Sequence, residues 1–315
     1  MRTLILKSNR DEFEEFFITK MQLKNCKTVP YYKKITKNKL IRIIAIIWMQ
    51  KLNIPFQSFW YGSWKKQLMD YDQIIVFDRH WGRRIFDYIH KKCPDKRLIC
   101  WYWNTIDYKN KILPIKYRRF VEIWSFDEED CKKYGFFHNI QFYFREKIDR
   151  KHIRQYDAVF VGKDKGRIKI IESINQTFKD LGLKTYIKVI RDNTSSNNES
   201  ELYTEQEISY YDLREIIQKS ECIIDVPQEK QYGITMRVLE ALFLQKKLLT
   251  TNQAVELYDF YDTKKIYIWK FNNSENPKEL KRFMDNRDIY YSEDNLDKYS
   301  FETWLKNFEL NRGKL

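Results

Sequence analysis

The residues Cys222-Ile-Ile-Asp-Val-Pro-Gln-Glu-Lys-Gln-Tyr-Gly-Ile-Thr-Met-Arg-Val-Leu-Glu-Ala-Leu-Phe-Leu-Gln-Lys-Lys-Leu-Leu-Thr-Thr-Asn252 run strand, polar loop, helix, strand. A short apolar run, Cys222 to Val226, stops at Pro227, and a loop containing Gly233 leads to Thr235, which has the side chain to cap a helix. Met236, Leu239, Leu242 and Phe243 fall on one apolar face of that helix, with Arg237 and Glu240 three residues apart on another. A cation, a carboxylate and unpaired backbone N–H groups thus gather at one helix N-terminus. Such an end attracts phosphate, and a carboxylate one turn in suits ribose hydroxyls. The same pair also reads as a solvated ion pair worth about 0.2–0.5 kcal/mol.

A second strand-loop-helix unit precedes it. Tyr156 to Val161 reads as a strand, Gly162-Lys-Asp-Lys-Gly-Arg167 as a basic, phosphate-friendly loop, and Ile168 to Leu181 as a helix with Ile171, Ile174 and Phe178 inward. Gly162 is expected to permit a tight turn, with Lys163, Lys165 and Arg167 supplying charge. The loop lacks the Gly-Lys-Ser/Thr ending of a Walker loop and the Gly-x-Gly-x-x-Gly of a dinucleotide site, which disfavours P-loop and NAD chemistry. Thr185 to Ile190 continues as a strand, Asn193 to Ser200 as a polar loop, and Tyr211 to Lys219 as a helix.

The first half has the same rhythm. After an opening strand, Arg10 to Met21 has helical spacing. Gln73 to Phe77, Arg97 to Tyr102 and Val121 to Trp124 read as strands, and Arg83 to Lys92 and Asp127 to Tyr134 as helices, the latter closed by Gly135. Alternation of this kind argues for a parallel sheet covered by helices, with ligands beyond the carboxyl ends of the strands. Those ends carry Asp78-Arg79-His80, Trp103-Asn104 and Ser125-Phe126-Asp127. Asp78 and His80 are the candidates for proton transfer. The blander reading is that Asp78 caps the next helix and His80 holds a loop carbonyl. The acids of Asp127-Glu-Glu-Asp130 complement a helix dipole as its first turn, in preference to a metal site. Charged, aperiodic Phe142 to Arg154 is the expected interdomain crossing. Near the end, Ser300 is placed to cap a helix within Tyr299 to Phe308 whose stripe is Phe301, Trp304, Leu305 and Phe308.

At 315 residues the chain is long enough for two domains with separate cores, and 43% hydrophobic residues exclude a disordered one. A formal net charge of +14 points to anionic partners: nucleotides, nucleic acid or an acidic membrane surface. Five widely spaced cysteines with no zinc spacing fit a reducing cytoplasm. The opening Met-Arg-Thr-Leu-Ile-Leu-Lys reads as a strand, not a signal peptide. Leu40 to Met49, interrupted by Arg42, is about half the roughly 20 residues a bilayer span needs. Segment 31–68 interleaves lysines such as Lys33, Lys34 and Lys65 with Trp48, Phe59, Trp60 and Trp64. That pattern suits an anionic membrane surface, and more readily an amphipathic helix packed on a domain.

Asp157-Ala-Val-Phe-Val-Gly-Lys-Asp-Lys-Gly-Arg167, Ile224-Asp-Val-Pro227, Gln231-Tyr-Gly-Ile-Thr-Met-Arg237, Glu240-Ala-Leu242 and Lys246-Lys-Leu-Leu-Thr-Thr-Asn252 together resemble bacterial lipopolysaccharide and capsule biosynthesis glycosyltransferases of the GT-B fold. Trp101-Tyr-Trp-Asn104 and Ser125-Phe-Asp-Glu-Glu-Asp130 look like first-domain landmarks of that group, so the likeness covers most of the chain after Gln73. It implies an α/β GT-B fold with two Rossmann-like domains facing a central cleft. Residues 1–150 would form the acceptor side, 151–298 the nucleotide-sugar domain, and 299–315 a helix packing back across the cleft. It further implies a donor held by Gly162, Lys163, Arg167, Gln231, Gly233, Thr235, Arg237 and Glu240, with Glu240 matching a ribose-binding carboxylate. No cofactor and no metal are implied, since cationic groups neutralise the departing diphosphate.

The implied activity moves a sugar from a nucleotide-sugar to a lipid-linked surface glycan, in the cytoplasm at the inner face of the plasma membrane. The membrane contact would use 31–68, and no nucleic acid is expected. Tyr232 stands where many retaining GT-B enzymes have a glutamate, and the nearest acid is Glu229. Retention or inversion is therefore open, and Asp78 or His80 as base suits inversion only. Two alternatives stand beside this reading: a nucleic-acid-binding protein using its basic, aromatic-rich surface, and an inactive partner subunit of the same fold.

Overall fold

The computed structural model describes residues 1–9, 11–33, 44, 47, 57–78, 83–106, 112–146, 154–195, 199–228, 233–270, 277–287 and 289–310. His80, Gln231, Tyr232 and most of the basic segment 34–56 lie outside the described residues. The chain divides into two compact units, Met1–Ile140 and Gln141–Leu315. Each is an α/β unit of Rossmann type, the class expected from the alternating pattern.

In the first unit the elements run β1 (Thr3–Lys7), α1 (Glu12–Lys20), β2 (Cys26–Pro30), β3 (Gln73–Phe77), α2 (Arg83–Lys92), β4 (Arg97–Tyr102), β5 (Glu122–Ser125), α3 (Glu128–Tyr134) and β6 (Phe137–His138). All six strands pair in parallel in the order β2-β1-β3-β4-β5-β6. Every residue of β1 and β3 is buried, as a parallel sheet covered on both faces demands of its central strands. The sequence marks α3 at both ends. Asp127 accepts the Asp130 N–H at 3.0 Å, and Gly135 closes the helix at φ 63°, a left-handed conformation in which a Cβ is strained. The acids at 127–130 are thus the cap and first turn of a helix.

The second unit comprises β7 (Tyr156–Lys163), α4 (Ile168–Asp180), β8 (Thr185–Ile190), β9 (Tyr203–Thr204), α5 (Tyr210–Gln218), β10 (Ser220–Asp225), α6 (Met236–Phe243), β11 (Lys247–Thr250), β12 (Ile266–Ile268), α7 (Pro277–Asp285), α8 (Glu293–Lys298) and α9 (Phe301–Leu310). Its strands pair in parallel in the order β12-β11-β10-β7-β8-β9. Taken from β7, that is the doubly wound 3-2-1-4-5-6 order, which reverses direction between β7 and β10. Ile171, Ile174 and Phe178 of α4 pack with Ile224 of β10 and Leu249 of β11 in a closed core. Truncating a ring as buried as Phe178 costs about 3–5 kcal/mol.

The segment expected as a crossing behaves otherwise in its first residues. Phe142 and Tyr143 are fully buried. Tyr143 exchanges backbone hydrogen bonds with Tyr299 and Phe301 at 3.0 Å each, and the Phe142 ring lies 4.6 Å from that of Trp304. Three consecutive aromatics, Phe142 to Phe144, carry too much apolar surface to leave in water, and the stripe of α9 covers them. Ser300 caps that helix through the Thr303 N–H at 3.2 Å. All five cysteines are free and buried. Among the described residues no helix is long and apolar enough to cross a membrane.

Candidate functional site

In an open doubly wound sheet, the crevice lies beyond the strand ends where the order reverses. In the second unit those ends are Gly162-Lys163-Asp164 on β7 and Asp225-Val226 on β10. Asp225 is buried and accepts hydrogen bonds from Thr235 Oγ1 at 2.8 Å and Thr250 Oγ1 at 2.9 Å. Burial pushes its carboxyl above the usual range in spite of these two donors and the nearby Arg237 and Arg167. Thr235 Oγ1 also accepts the N–H groups of Arg237 (3.1 Å) and Val238 (3.4 Å), as a helix cap should. One hydroxyl therefore fixes the start of α6 to the end of β10.

Arg237 sits in the first turn of α6 and reaches back to β7. Its Nη2 donates to the Val161 carbonyl at 2.9 Å and its Nη1 to Glu240 Oε2 at 2.6 Å. Glu240 is 1% exposed, and its Oε1 accepts the Tyr210 hydroxyl at 2.8 Å, so the pair is not the solvated one that spacing allows. Burial alone would lower the Arg237 pKa, but Glu240, Tyr210 and Asp225 outweigh it and hold the guanidinium above its ordinary value. The Arg237 side chain keeps 24% of its surface exposed, whereas that of Glu240 keeps 2%. The arginine side chain thus keeps some open surface, and the carboxylate is closed to a ribose hydroxyl in this arrangement.

The loop after β7 differs from expectation. Gly162 is the penultimate strand residue, paired with Val189, and its φ is not left-handed. The turn is made by Lys165 (φ 50°) and Gly166 (φ 77°). Asp164, fully buried, accepts the N–H groups of Arg167 and Ile168 at 2.9 Å each through Oδ1 and the Tyr203 hydroxyl at 2.7 Å through Oδ2. The start of α4 is therefore filled by the chain's own carboxylate and is no open phosphate seat. Burial alone would raise the Asp164 pKa, but the hydrogen bonds from Tyr203, Ser195 and the two amides hold it below its usual value.

Arg167 donates to the carbonyls of Asp164, Lys163 and Val226. It staples the end of β7 to the end of β10, and burial depresses its pKa in spite of Asp225 and Asp164. Among the described residues, Lys163 and Lys165 are exposed at this edge, and the Arg237 side chain keeps part of its surface open. Gly233 is buried, and its carbonyl accepts from Asn252 Nδ2 at 3.5 Å.

In the first unit Asp78 is half-buried, takes the Trp103 N–H at 2.9 Å and gives its own N–H to the Trp101 carbonyl at 2.7 Å. It ties the ends of β3 and β4 together. Near it, Lys7 is 4% exposed, with Nζ 5.1 Å from the Trp103 ring centroid and 5.4 Å from that of Phe77. Asp130 is 7% exposed. Burial pushes its carboxyl up to about 6 even though it accepts the Ile106 N–H at 2.7 Å.

Sequence reasoning did not single out Asp164, Asp225, Tyr210 or Tyr143 as site residues. Asp164, three residues before Arg167, had the spacing of an N-cap as its signal. The two tyrosines had none, lying 30 and 97 residues from Glu240. Among the described residues no three His, Cys, Asp or Glu side chains come together as metal ligands.

No family model and no curated protein matches the sequence. Similar solved structures exist. TarM is 14% identical, with a TM-score of 0.48 over 76% of this chain and 54% of TarM, so the chain spans about half the length of that protein. The glycotransferase of kitacinnamycin is 8% identical, with a TM-score of 0.44 and 98% of each chain covered. MurG of Acinetobacter baumannii is 10% identical, with a TM-score of 0.40 and 88% of each chain covered.

Proposed function

We propose that this chain is a GT-B glycosyltransferase that takes a nucleotide-sugar at the β7/β10 edge of its second unit and passes the sugar to a surface glycan. The supporting observation is the arrangement around Arg237. A guanidinium is held by a buried carboxylate and a strand carbonyl, on a side chain that keeps part of its surface open, at the reversal point of a doubly wound sheet. Arg237 and Lys163 would meet the diphosphate. As the bond between the anomeric carbon and the diphosphate breaks, negative charge grows on the leaving oxygen, and fixed cations stabilise it without reorganising. That supplies a route to leaving-group departure without a metal or other cofactor. The acceptor oxygen takes the anomeric carbon and loses its proton to a base, Asp78 or His80 if configuration is inverted.

The acceptor in this proposal is a lipid-linked glycan of the lipopolysaccharide or capsule type. Residues 31–68 would approach an anionic membrane at the cytoplasmic face, and Gln231 would join the donor contacts. The test is thermal stabilisation by UDP, GDP, CMP and TDP against single-stranded DNA at fixed salt. A ligand at 100 times its Kd stabilises by about 2.7 kcal/mol, which in a unit of this size raises Tm by about 5–10 °C. Stabilisation by one of the nucleotides is expected. Stabilisation by DNA alone refutes the transferase and favours the nucleic-acid reading.

A further inference from the structure

We infer that Tyr210 and Tyr143 are positioning residues for the anion-binding guanidinium of Arg237, an inference that rests on the donor-site reading above. Four hydrogen bonds form one chain: Tyr143 hydroxyl to Tyr210 hydroxyl (2.9 Å), Tyr210 hydroxyl to Glu240 Oε1 (2.8 Å), Arg237 Nη1 to Glu240 Oε2 (2.6 Å) and Arg237 Nη2 to the Val161 carbonyl (2.9 Å). Its proton order is determined. A phenol has one proton, and Tyr210 directs its own to Glu240, so Tyr143 is the donor to Tyr210. Burial pushes both phenols up, so both keep their protons at neutral pH.

The consequence lies in where the members sit. Arg237 and Glu240 belong to α6 and Tyr210 to α5. Tyr143 belongs to the segment by which the chain enters the second unit, itself hydrogen-bonded on both sides to residues at the start of α9. Glu240 is closed to solvent, so its orientation comes from protein groups, and the Tyr210 hydroxyl holds one oxygen while Arg237 holds the other. Without that hydroxyl the carboxylate is free to rotate about its terminal torsion, which is broad for an sp³–sp² bond, and the guanidinium turns with it. The direction of the site's cation is therefore tied to the entering segment through two buried hydroxyls, beside the hold of the Val161 carbonyl.

The bland account of the same tyrosines is that they satisfy buried polar groups and serve stability alone. A double-mutant cycle separates the two. Binding of UDP and of uridine, with GDP and guanosine in parallel, is measured for the full chain, Tyr210→Phe, Arg237→Ala and the double variant, with a thermal melt for each. Positioning predicts that Tyr210→Phe weakens diphosphate binding about five- to tenfold in the unmodified background and less than about twofold beside Arg237→Ala, with nucleoside binding unchanged. Tyr143→Phe, one bond further away, weakens it about two- to fivefold, and runs the same cycle should Tyr210→Phe fail to fold. Equal losses in both backgrounds, equal losses for nucleoside and diphosphate, or no loss at all overturn the inference while leaving the donor site standing. Failure of the unmodified chain to bind any nucleoside diphosphate overturns the donor reading and this inference with it.

Discussion

Replacing Glu240 by Leu should destabilise the second unit far more than an i,i+3 pair ordinarily would. The carboxylate side chain is 2% exposed, so its removal strips a largely buried guanidinium of its counter-charge and the Tyr210 hydroxyl of its acceptor. Breaking a buried pair from one side costs about 3–5 kcal/mol. The quarter of the Arg237 side chain that remains in water favours the low end, and the orphaned hydroxyl adds about 1 kcal/mol. A loss of about 3–4 kcal/mol follows. With an m-value of about 2 kcal/mol/M, the urea midpoint should fall by about 1.5–2 M. The double variant Arg237→Met/Glu240→Leu removes both charges together and should recover stability to within about 1.5 kcal/mol of the unmodified chain, because packed apolar groups replace a buried pair at little cost. The same double variant should still lose nucleoside diphosphate affinity, which separates folding from binding in one protein. Urea unfolding followed by circular dichroism decides the matter. A loss below about 1 kcal/mol in Glu240→Leu, or no recovery in the double variant, refutes the buried-pair reasoning and returns the pair to surface character.

Gly166→Ala places a Cβ at φ 77° with no neighbour to clash and should cost about 1–2 kcal/mol of backbone strain, whereas Gly162→Ala, meeting the Phe160 ring at an ordinary 3.4 Å, should be neutral or stabilise by up to about 1 kcal/mol in the same unfolding assay. For Asp130 the folded carboxyl near 6 lies above its ordinary 3.8, so the native state binds the extra proton and stability falls as pH rises through that window. Asp130→Asn keeps an acceptor for the Ile106 N–H and should abolish the fall, a gain of up to about 3 kcal/mol at pH 7.5 that is absent at pH 3.5. Asp78→Asn keeps the acceptor for the Trp103 N–H, so Tm and donor affinity should hold while turnover drops about 10²–10⁴-fold. Normal turnover removes Asp78 as the base.

Much of the fold could be read along the chain because its causes are local. Thr235 caps α6 through amides two and three residues on, Gly135 ends α3 at a left-handed position, and Gln73–Phe77 is a largely apolar run of strand length between Asp72 and Asp78. Two alternating series of such elements suffice to imply two parallel sheets. Strands as short as Phe137–His138, Tyr203–Thr204 and Ile266–Ile268 carry no period of their own and exist through their neighbours in the sheet.

At the candidate site, sequence alone determined which residue types stand near the end of β10, and it favoured Arg237 and Glu240 as a ligand pair over a solvated pair. Tertiary structure decided on a third state, a buried carboxylate holding an arginine whose side chain is about a quarter exposed. It also turned Arg167 inward to backbone carbonyls and filled the start of α4 with Asp164. Spacing along one helix says which side chains are neighbours, but burial depends on what covers that face. Here the cover comes from Tyr210 on another helix and Tyr143 on the entering segment, brought to Glu240 only by the folding of the whole unit.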